Sequence, residues 1–184
     1  NEVQLEKLIR SNSIDLIFVC NWYKLIPTKI LELPKIGTYG LHNSLLPKYR
    51  GMSPLIWSSL SDDKFIGSSL FKFDKGMDTG AIAKQWKIKN EGLYIEQIIE
   101  KLSSKIVKDL PSIVKDLQGN KIRHIIQDHS KATYCNKRIP SDSRLKWDEI
   151  TSKEALRQIQ IFNTPYPLNF CYFQEKKISI LKAE

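Results

Sequence analysis

Cysteine and histidine are scarce in these 184 residues, with three of each. Cys20, Cys135 and Cys171 are odd in number, far apart and set among apolar or aromatic residues. That pattern predicts reduced thiols and a cytoplasmic setting, and it excludes a disulfide framework. The histidines and cysteines do not fall at metal-ligand spacing, so no metal site is expected. No apolar run approaches the roughly 20 residues of a membrane-spanning helix; the longest runs are short, such as residues 16–20. The opening residues lack the basic, apolar and small-residue succession of a secretory signal. The sequence shows no internal repeats and no low-complexity segment.

What the chain does have is positive charge, a formal +9. Much of it is scattered lysine at helical spacing, such as Lys101, Lys105, Lys108 and Lys115, which reads as a solvated helix face. Attraction to an anionic substrate is the second reading of the same charge, and nucleic acid is not the expected partner.

Apolar periodicity predicts an α/β chain. A helix carries Val3, Leu5, Leu8 and Ile9, and a buried strand spans 15–20. Pro27 opens a short helix over 27–33 that Pro34 ends. A strand follows at 38–42, then a helix over 53–59 with Ser53 at its cap. Strands at 67–73 and 81–88 lead to a long helix over 94–118 that Pro111 can bend. Residues 133–144 read as an extended connector. Thr151 and Glu154 predict a capping box for a helix over 153–162. A terminal hairpin is expected over 169–173 and 177–181.

The chemistry concentrates in residues 37–51, Gly-Thr-Tyr-Gly-Leu-His-Asn-Ser-Leu-Leu-Pro-Lys-Tyr-Arg-Gly. A strand ends at His42, a rigid polar turn runs from Ser44 to Pro47, and the basic Lys48-Tyr49-Arg50-Gly51 follows. A lone imidazole at a strand mouth is where α/β folds place chemistry. Later, Phe73-Asp74-Lys75-Gly76-Met77-Asp78-Thr79-Gly80 offers a carboxylate in a glycine-flanked loop after another strand. An imidazole and a carboxylate from two strand ends form a candidate acid/base pair. The bland alternatives are a satisfied buried His42 and an Asp78 that caps a turn.

These residues resemble the folate-dependent formyltransferases. Residues 37–51 are similar to the signature loop Asn-x-His-x-Ser-Leu-Leu-Pro-x-x-Arg-Gly, and Met-Asp-Thr-Gly at 77–80 is similar to the second signature. Asn21-Trp22-Tyr23-Lys24-Leu25-Ile26-Pro27 resembles the segment lining the pterin pocket. The connector over 136–147 and Pro165-Tyr166-Pro167 look most like the sugar N-formyltransferases within this group.

The resemblance implies a mostly parallel sheet flanked by helices, with an N-terminal part of the sheet missing from the chain and a small C-terminal helix-plus-hairpin appendage. It divides the chain into a catalytic core over 1–130 and a subdomain over 131–184. It also implies N10-formyltetrahydrofolate as formyl donor. The acceptor it implies is a nucleotide-linked amino sugar of the kind used for surface polysaccharides such as lipopolysaccharide O-antigen. The alternatives are a methionyl-tRNA formyltransferase or an impaired member that only binds ligand. A homodimer through the terminal hairpin is a further expectation.

Carried onto this chain, the resemblance makes His42 and Asp78 catalytic. Trp22, Tyr23, Leu25 and Ile26, with Phe73, Asp74 and Lys75, become folate contacts, although Trp22 and Tyr23 read equally as core aromatics. Ser44, Arg50 and Tyr166 become substrate contacts; Arg50 reads equally as an ion pair ordering its loop, and Tyr166 as a packing residue. Trp147 reads as core, and His124 and His129 as surface. One departure stands out: the family's asparagine, two residues before the histidine, falls at Gly40. Losing such an oxyanion donor typically costs about 2.7–4 kcal/mol of barrier. A backbone N–H or water, or Asn21, would have to replace it, or the protein would be slow, altered or inactive.

Overall fold

The computed structural model describes residues 2–183. Its elements run α1 (Glu2–Ser11), β1 (Leu16–Val19), α2 (Thr28–Leu31), β2 (Gly37–His42), β3 (Arg50–Gly51) and α3 (Pro54–Leu60). Then come β4 (Phe65–Lys72), β5 (Ile82–Lys89), α4 (Ile95–Gln118), β6 (Tyr134–Cys135), α5 (Ser152–Ile161), β7 (Asn169–Phe173) and β8 (Lys176–Ile180).

The α/β sheet flanked by helices is present, with strand order β1-β2-β4-β5. Strands β1 and β2 are parallel, joined through α2, and β2, β4 and β5 pair antiparallel. Among the described residues the sheet is therefore mixed. The β1–β2 and β2–β4 connections carry helices α2 and α3, whereas a short connection suffices between β4 and β5, as antiparallel neighbours allow.

Side chains alternate across the sheet. Tyr39, Ile66, Leu70, Trp86 and Ile88 face α3 and α4 in the main core, with Leu55, Ile56, Ile98 and Leu102. The other face carries Phe71 and Ile82, packed with Leu46 and Phe73. Helix α4 runs as one element through Pro111, and Trp86 Nε1 donates to Asp109 Oδ2 at 2.8 Å beside it.

The C-terminal segment begins with a finding the pattern did not signal. Strand β6 pairs parallel with β3, inside what reads as a connector. Two residues are too few to show a period. Helix α5 has the expected capping box, with Thr151 N donating to Glu154 Oε2 at 2.8 Å and Glu154 N to Thr151 Oγ1 at 3.2 Å. Ile161 and Phe162 at its end join the main core, while Leu145, Ala155 and Ile159 form a small cluster of their own. The hairpin turns on Gln174 and Glu175, both at positive φ, which suits the twist of two antiparallel strands. Ser53 corrects one local expectation: it sits at the α3 N-cap position with φ 55°, and its side chain makes no capping bond. Trp147 corrects another, being exposed rather than core.

Candidate active site

His42 is delivered by the last residue of β2 and is nearly buried, 8% exposed. The turn after it is pinned to the neighbouring strands. Ser69 Oγ donates to Ser44 O at 2.6 Å and accepts from Leu46 N at 3.1 Å, and Gln85 Nε2 donates to Leu46 O at 2.9 Å. Further on, Lys48 and Tyr49 both bond Asp63, at 2.6 and 2.7 Å. Those two hydrogen bonds hold the Asp63 carboxyl below its ordinary range, the Lys48 bond contributing most.

The pinned turn brings residues 49–51 back over His42. His42 Nε2 lies 2.7 Å from Tyr49 O. A carbonyl only accepts, so Nε2 carries the proton and Nδ1 has the lone pair in the neutral ring. Nδ1 faces Asp78 Oδ2 at 3.6 Å, and the same oxygen accepts from Gly51 N at 2.8 Å. One tripeptide thus holds both members of the pair, the imidazole through a carbonyl and the carboxylate through an amide. The structure brings His42 and Asp78 together as the spacing implied.

Asp78 has φ 55°, a left-handed conformation uncommon for a non-glycine residue. Gln127 holds it there: its Nε2 donates to Asp78 O at 2.8 Å and to Gly80 O at 2.7 Å. Gln127 is 4% exposed, and its Oε1 accepts from Arg50 Nε at 3.2 Å and Nη2 at 2.7 Å. Arg50 also reaches Tyr134 Oη at 3.1 Å and His129 Nδ1 at 3.1 Å. Nothing local in the sequence marks Gln127; it enters through the isolated bridge between Ile82 and Ile125.

These contacts correct two expectations. Arg50 is 1% exposed, its guanidinium is spent on Gln127, Tyr134 and His129, and it does not line the cleft. It orders the loop, though through neutral partners and not the anticipated ion pair. Ser44 is fully buried, donates to Lys48 O at 2.6 Å and is likewise outside the cleft. His124 is half-buried, its Nε2 lying 2.9 Å from Tyr39 Oη. Burial, then the Lys72 charge, hold its pKa below the ordinary value. Near Asp78, burial and secondarily the Asp78 charge push the Cys135 thiol up to about 11.

The cleft in front of His42 and Asp78 has a volume of about 930 Å3. Trp22, Tyr23, Leu25 and Ile26 line it from the loop after β1, and Phe73, Asp74 and Lys75 from the loop after β4. Trp22, Tyr23 and Leu25 are 57%, 72% and 80% exposed, so they are not core residues. Such a concentration of bare apolar surface at a cleft mouth marks a ligand surface. Asp74 Oδ1 accepts from Gly76 N and Thr79 Oγ1, which shapes its own loop. Tyr166 also lines the cleft, as do Arg138, Phe170 and Lys177, which the motifs did not single out.

Gly40 also lines the cleft, and the space beside it is filled. A Cβ there would lie 2.5 Å from Phe73 Cε2 and 2.9 Å from Phe71 Cε1. The two rings lie with centroids 5.0 Å apart, so a side chain at position 40 would require one of them to shift. Among the described residues, the side-chain amides lining the cleft are Asn21 and Asn43.

The profile of the Formyl transferase family matches residues 1–113. The chain is 35% identical over 175 residues to the bifunctional polymyxin resistance protein ArnA of Wigglesworthia glossinidia brevipalpis, covering 92% of this chain and 26% of that protein. It is 31% identical over 192 residues to methionyl-tRNA formyltransferase of Prochlorococcus marinus, covering 100% of this chain and 57% of that one. It thus spans little more than half, or less, of these relatives' lengths. A 4-N formyltransferase from Francisella tularensis shares the fold, with a TM-score of 0.82 at 20% identity over 100% of this chain and 76% of that one. With both signature loops converging on one cleft and the family profile matching most of the chain, this protein belongs to the formyl transferase family.

Proposed function

We propose that the chain carries the catalytic site of an enzyme transferring a formyl group from N10-formyltetrahydrofolate to the amino group of a nucleotide-linked amino sugar. The observation that carries this reading is the His42–Asp78 pair on one cleft that is also lined by the exposed Trp22 and Tyr23 and by Arg138, Tyr166 and Lys177. In this reading residues 1–130 form the catalytic core, and residues 131–184 supply the acceptor end.

N10-formyltetrahydrofolate supplies the formyl carbon. Trp22, Tyr23, Leu25 and Ile26 give its ring system apolar surface to cover, and Phe73, Asp74 and Lys75 border it. His42 takes a proton from the acceptor nitrogen and delivers one to the departing folate nitrogen, so the exchange of formyl for hydrogen balances. Its free position is Nδ1, because Nε2 is committed to Tyr49 O. Protonation at Nδ1 creates a cation with an acceptor for each N–H: Tyr49 O on one side and Asp78 on the other. Asp78 therefore stabilises the charged ring and fixes its orientation. With no amide at position 40, Asn21 and Asn43 are the cleft's side-chain candidates for holding developing negative charge. Ser68 Oγ donates to Asn43 Oδ1 at 3.0 Å, which leaves that amide's N–H groups to donate elsewhere.

A second reading, transfer to methionyl-tRNA, is favoured by the whole-chain match to a protein of that name and by the +9 charge. The test is incubation with N10-formyltetrahydrofolate and either a panel of nucleotide-linked amino sugars or methionyl-tRNA, read by mass spectrometry. A formylated sugar supports the first reading. A product only from tRNA replaces it with the second. Folate binding with no product from any acceptor means an impaired family member.

A further inference from the structure

The carbonyl that holds the His42 ring belongs to a residue in an uncommon conformation. Tyr49 has φ 59°, in the left-handed region that a non-glycine residue enters only when its surroundings over-determine it. Two segments far away in the sequence do so. On the side-chain side, Tyr49 Oη donates to Asp63 Oδ2 at 2.7 Å, and Lys48 Nζ reaches Asp63 Oδ1 at 2.6 Å. On the backbone side stand β6 and the residue before it, Thr133.

Thr133 makes two bonds of different kinds. Its carbonyl accepts from Arg50 N at 2.8 Å, an extension of the ladder in which Arg50 pairs with Tyr134 and Met52 N donates to Cys135 O at 3.1 Å. Its hydroxyl Oγ1 accepts from Tyr49 N at 2.9 Å. The N–H groups of Tyr49 and Arg50 belong to the two rigid peptide units that flank the Tyr49 Cα. By holding both, Thr133 fixes both backbone dihedrals of Tyr49. The 49–50 peptide is trans, so its N–H and C=O point in opposite directions. With Arg50 N turned to Thr133 O, Tyr49 O is turned toward His42 Nε2, at 2.7 Å. Cys135 Sγ adds a weaker donor to the same carbonyl at 3.5 Å, shared with Arg50 O at 3.3 Å.

That carbonyl has a competitor. The neutral imidazole carries one proton, and two acceptors face it: Tyr49 O at 2.7 Å from Nε2, and Asp78 Oδ2 at 3.6 Å from Nδ1. Asp78 is the charged group against the ring, with the Lys48–Asp63 pair beyond it on the Tyr49 side. A displaced Tyr49 O leaves the proton to Nδ1 and Asp78, and the basic lone pair then sits on Nε2, the nitrogen turned toward Tyr49. Thr133 is exposed, so its side chain fills no core space, and neither it nor Tyr49 lines the cleft. Its hydroxyl acts through the backbone of Tyr49 and not on a ligand.

We propose that Thr133 is a positioning residue that sets the tautomer of His42 by fixing the Tyr49 carbonyl. The inference rests on the proposed function for its catalytic meaning. The segment after α4, expected as a plain connector, thereby prepares the base at Nδ1.

Nitrogen-15 NMR of the imidazole side chains of the full chain at alkaline pH tests this without turnover, with His42 assigned by its loss in His42→Gln. The wild type should show His42 protonated at Nε2. Thr133→Val keeps the branched shape but removes the acceptor, and should move His42 toward the Nδ1-protonated form. Thr133→Ser keeps the hydroxyl and should restore the wild-type signature. Under N10-formyltetrahydrofolate turnover, Thr133→Val should lose roughly threefold to tenfold in kcat with an unchanged folate KM, and Thr133→Ser should recover it. A wild-type tautomer in Thr133→Val overturns the proposal, whatever happens to its melting temperature. So does a tautomer shift that leaves kcat untouched, or one that Thr133→Ser fails to reverse. A reversible shift in a chain that formylates no acceptor supports the positioning role and sinks the activity reading alone.

Discussion

Placing asparagine at position 40 is the sharpest test of how this site is built. Gly40 lies mid-strand in β2, and a Cβ there would meet Phe73 Cε2 at 2.5 Å, Phe73 Cζ at 2.9 Å and Phe71 Cε1 at 2.9 Å. Phe71 is 2% exposed and walled in, so Phe73, only partly buried, is the ring that must move. Overpacking of this kind costs roughly 1–3 kcal/mol. For a chain of this length each kcal/mol lowers the melting temperature by about 2–4 °C. Gly40→Asn should therefore melt roughly 2–12 °C below the wild type. Phe73→Leu removes the clashing ring edge, so Gly40→Asn/Phe73→Leu should be more stable than the two single changes summed, with a coupling of about 0.5–3 kcal/mol. Thermal melts of the four proteins provide the cycle. A Gly40→Asn variant as stable as the wild type, or a cycle without coupling, would refute the claim that Phe73 fills the missing side chain's place. If the amide then reaches the reacting centre, the double variant should exceed Phe73→Leu alone in kcat.

His42→Ala should reduce kcat by roughly 10²–10⁴ and also lower the melting temperature, because Tyr49 O loses its imidazole donor, and Asp78→Asn should also slow turnover, measured as formylated product per minute. Gln127→Glu keeps an acceptor for Arg50 but turns a carboxylate toward Asp78 O and Gly80 O. It should lower kcat and shift its pH profile while leaving folate KM near the wild-type value; an unchanged kcat would make Gln127 purely structural. His124 has a depressed pKa in the folded state, so the stability it contributes is present above the ordinary value near 6.5 and is lost as pH falls through the depressed one. Melting temperature should therefore drop between neutral and acidic pH, and drop less in His124→Gln, which preserves an acceptor for the Tyr39 hydroxyl.

Much of this protein was readable in one dimension because local physics set it. Periodicities of 3.6 and 2 located α1, α4, α5 and the strands of the main sheet, since an amphipathic segment has one packed solution. Thr151 and Glu154 announced their cap because a capping box needs only neighbouring atoms. Two signature loops, around His42 and Asp78, announced the site. Tertiary structure decided the rest, since those outcomes depend on residues far apart in the chain. Arg50 reads as an anion holder until Gln127, Tyr134 and His129, all from beyond α4, close around it. Position 40 reads as a gap until Phe73 fills it. Arg138 and Lys177 line one cleft only because the segment after β6 meets the terminal hairpin. Burial and charge compensation are sums over space, and nothing in sequence distance encodes them.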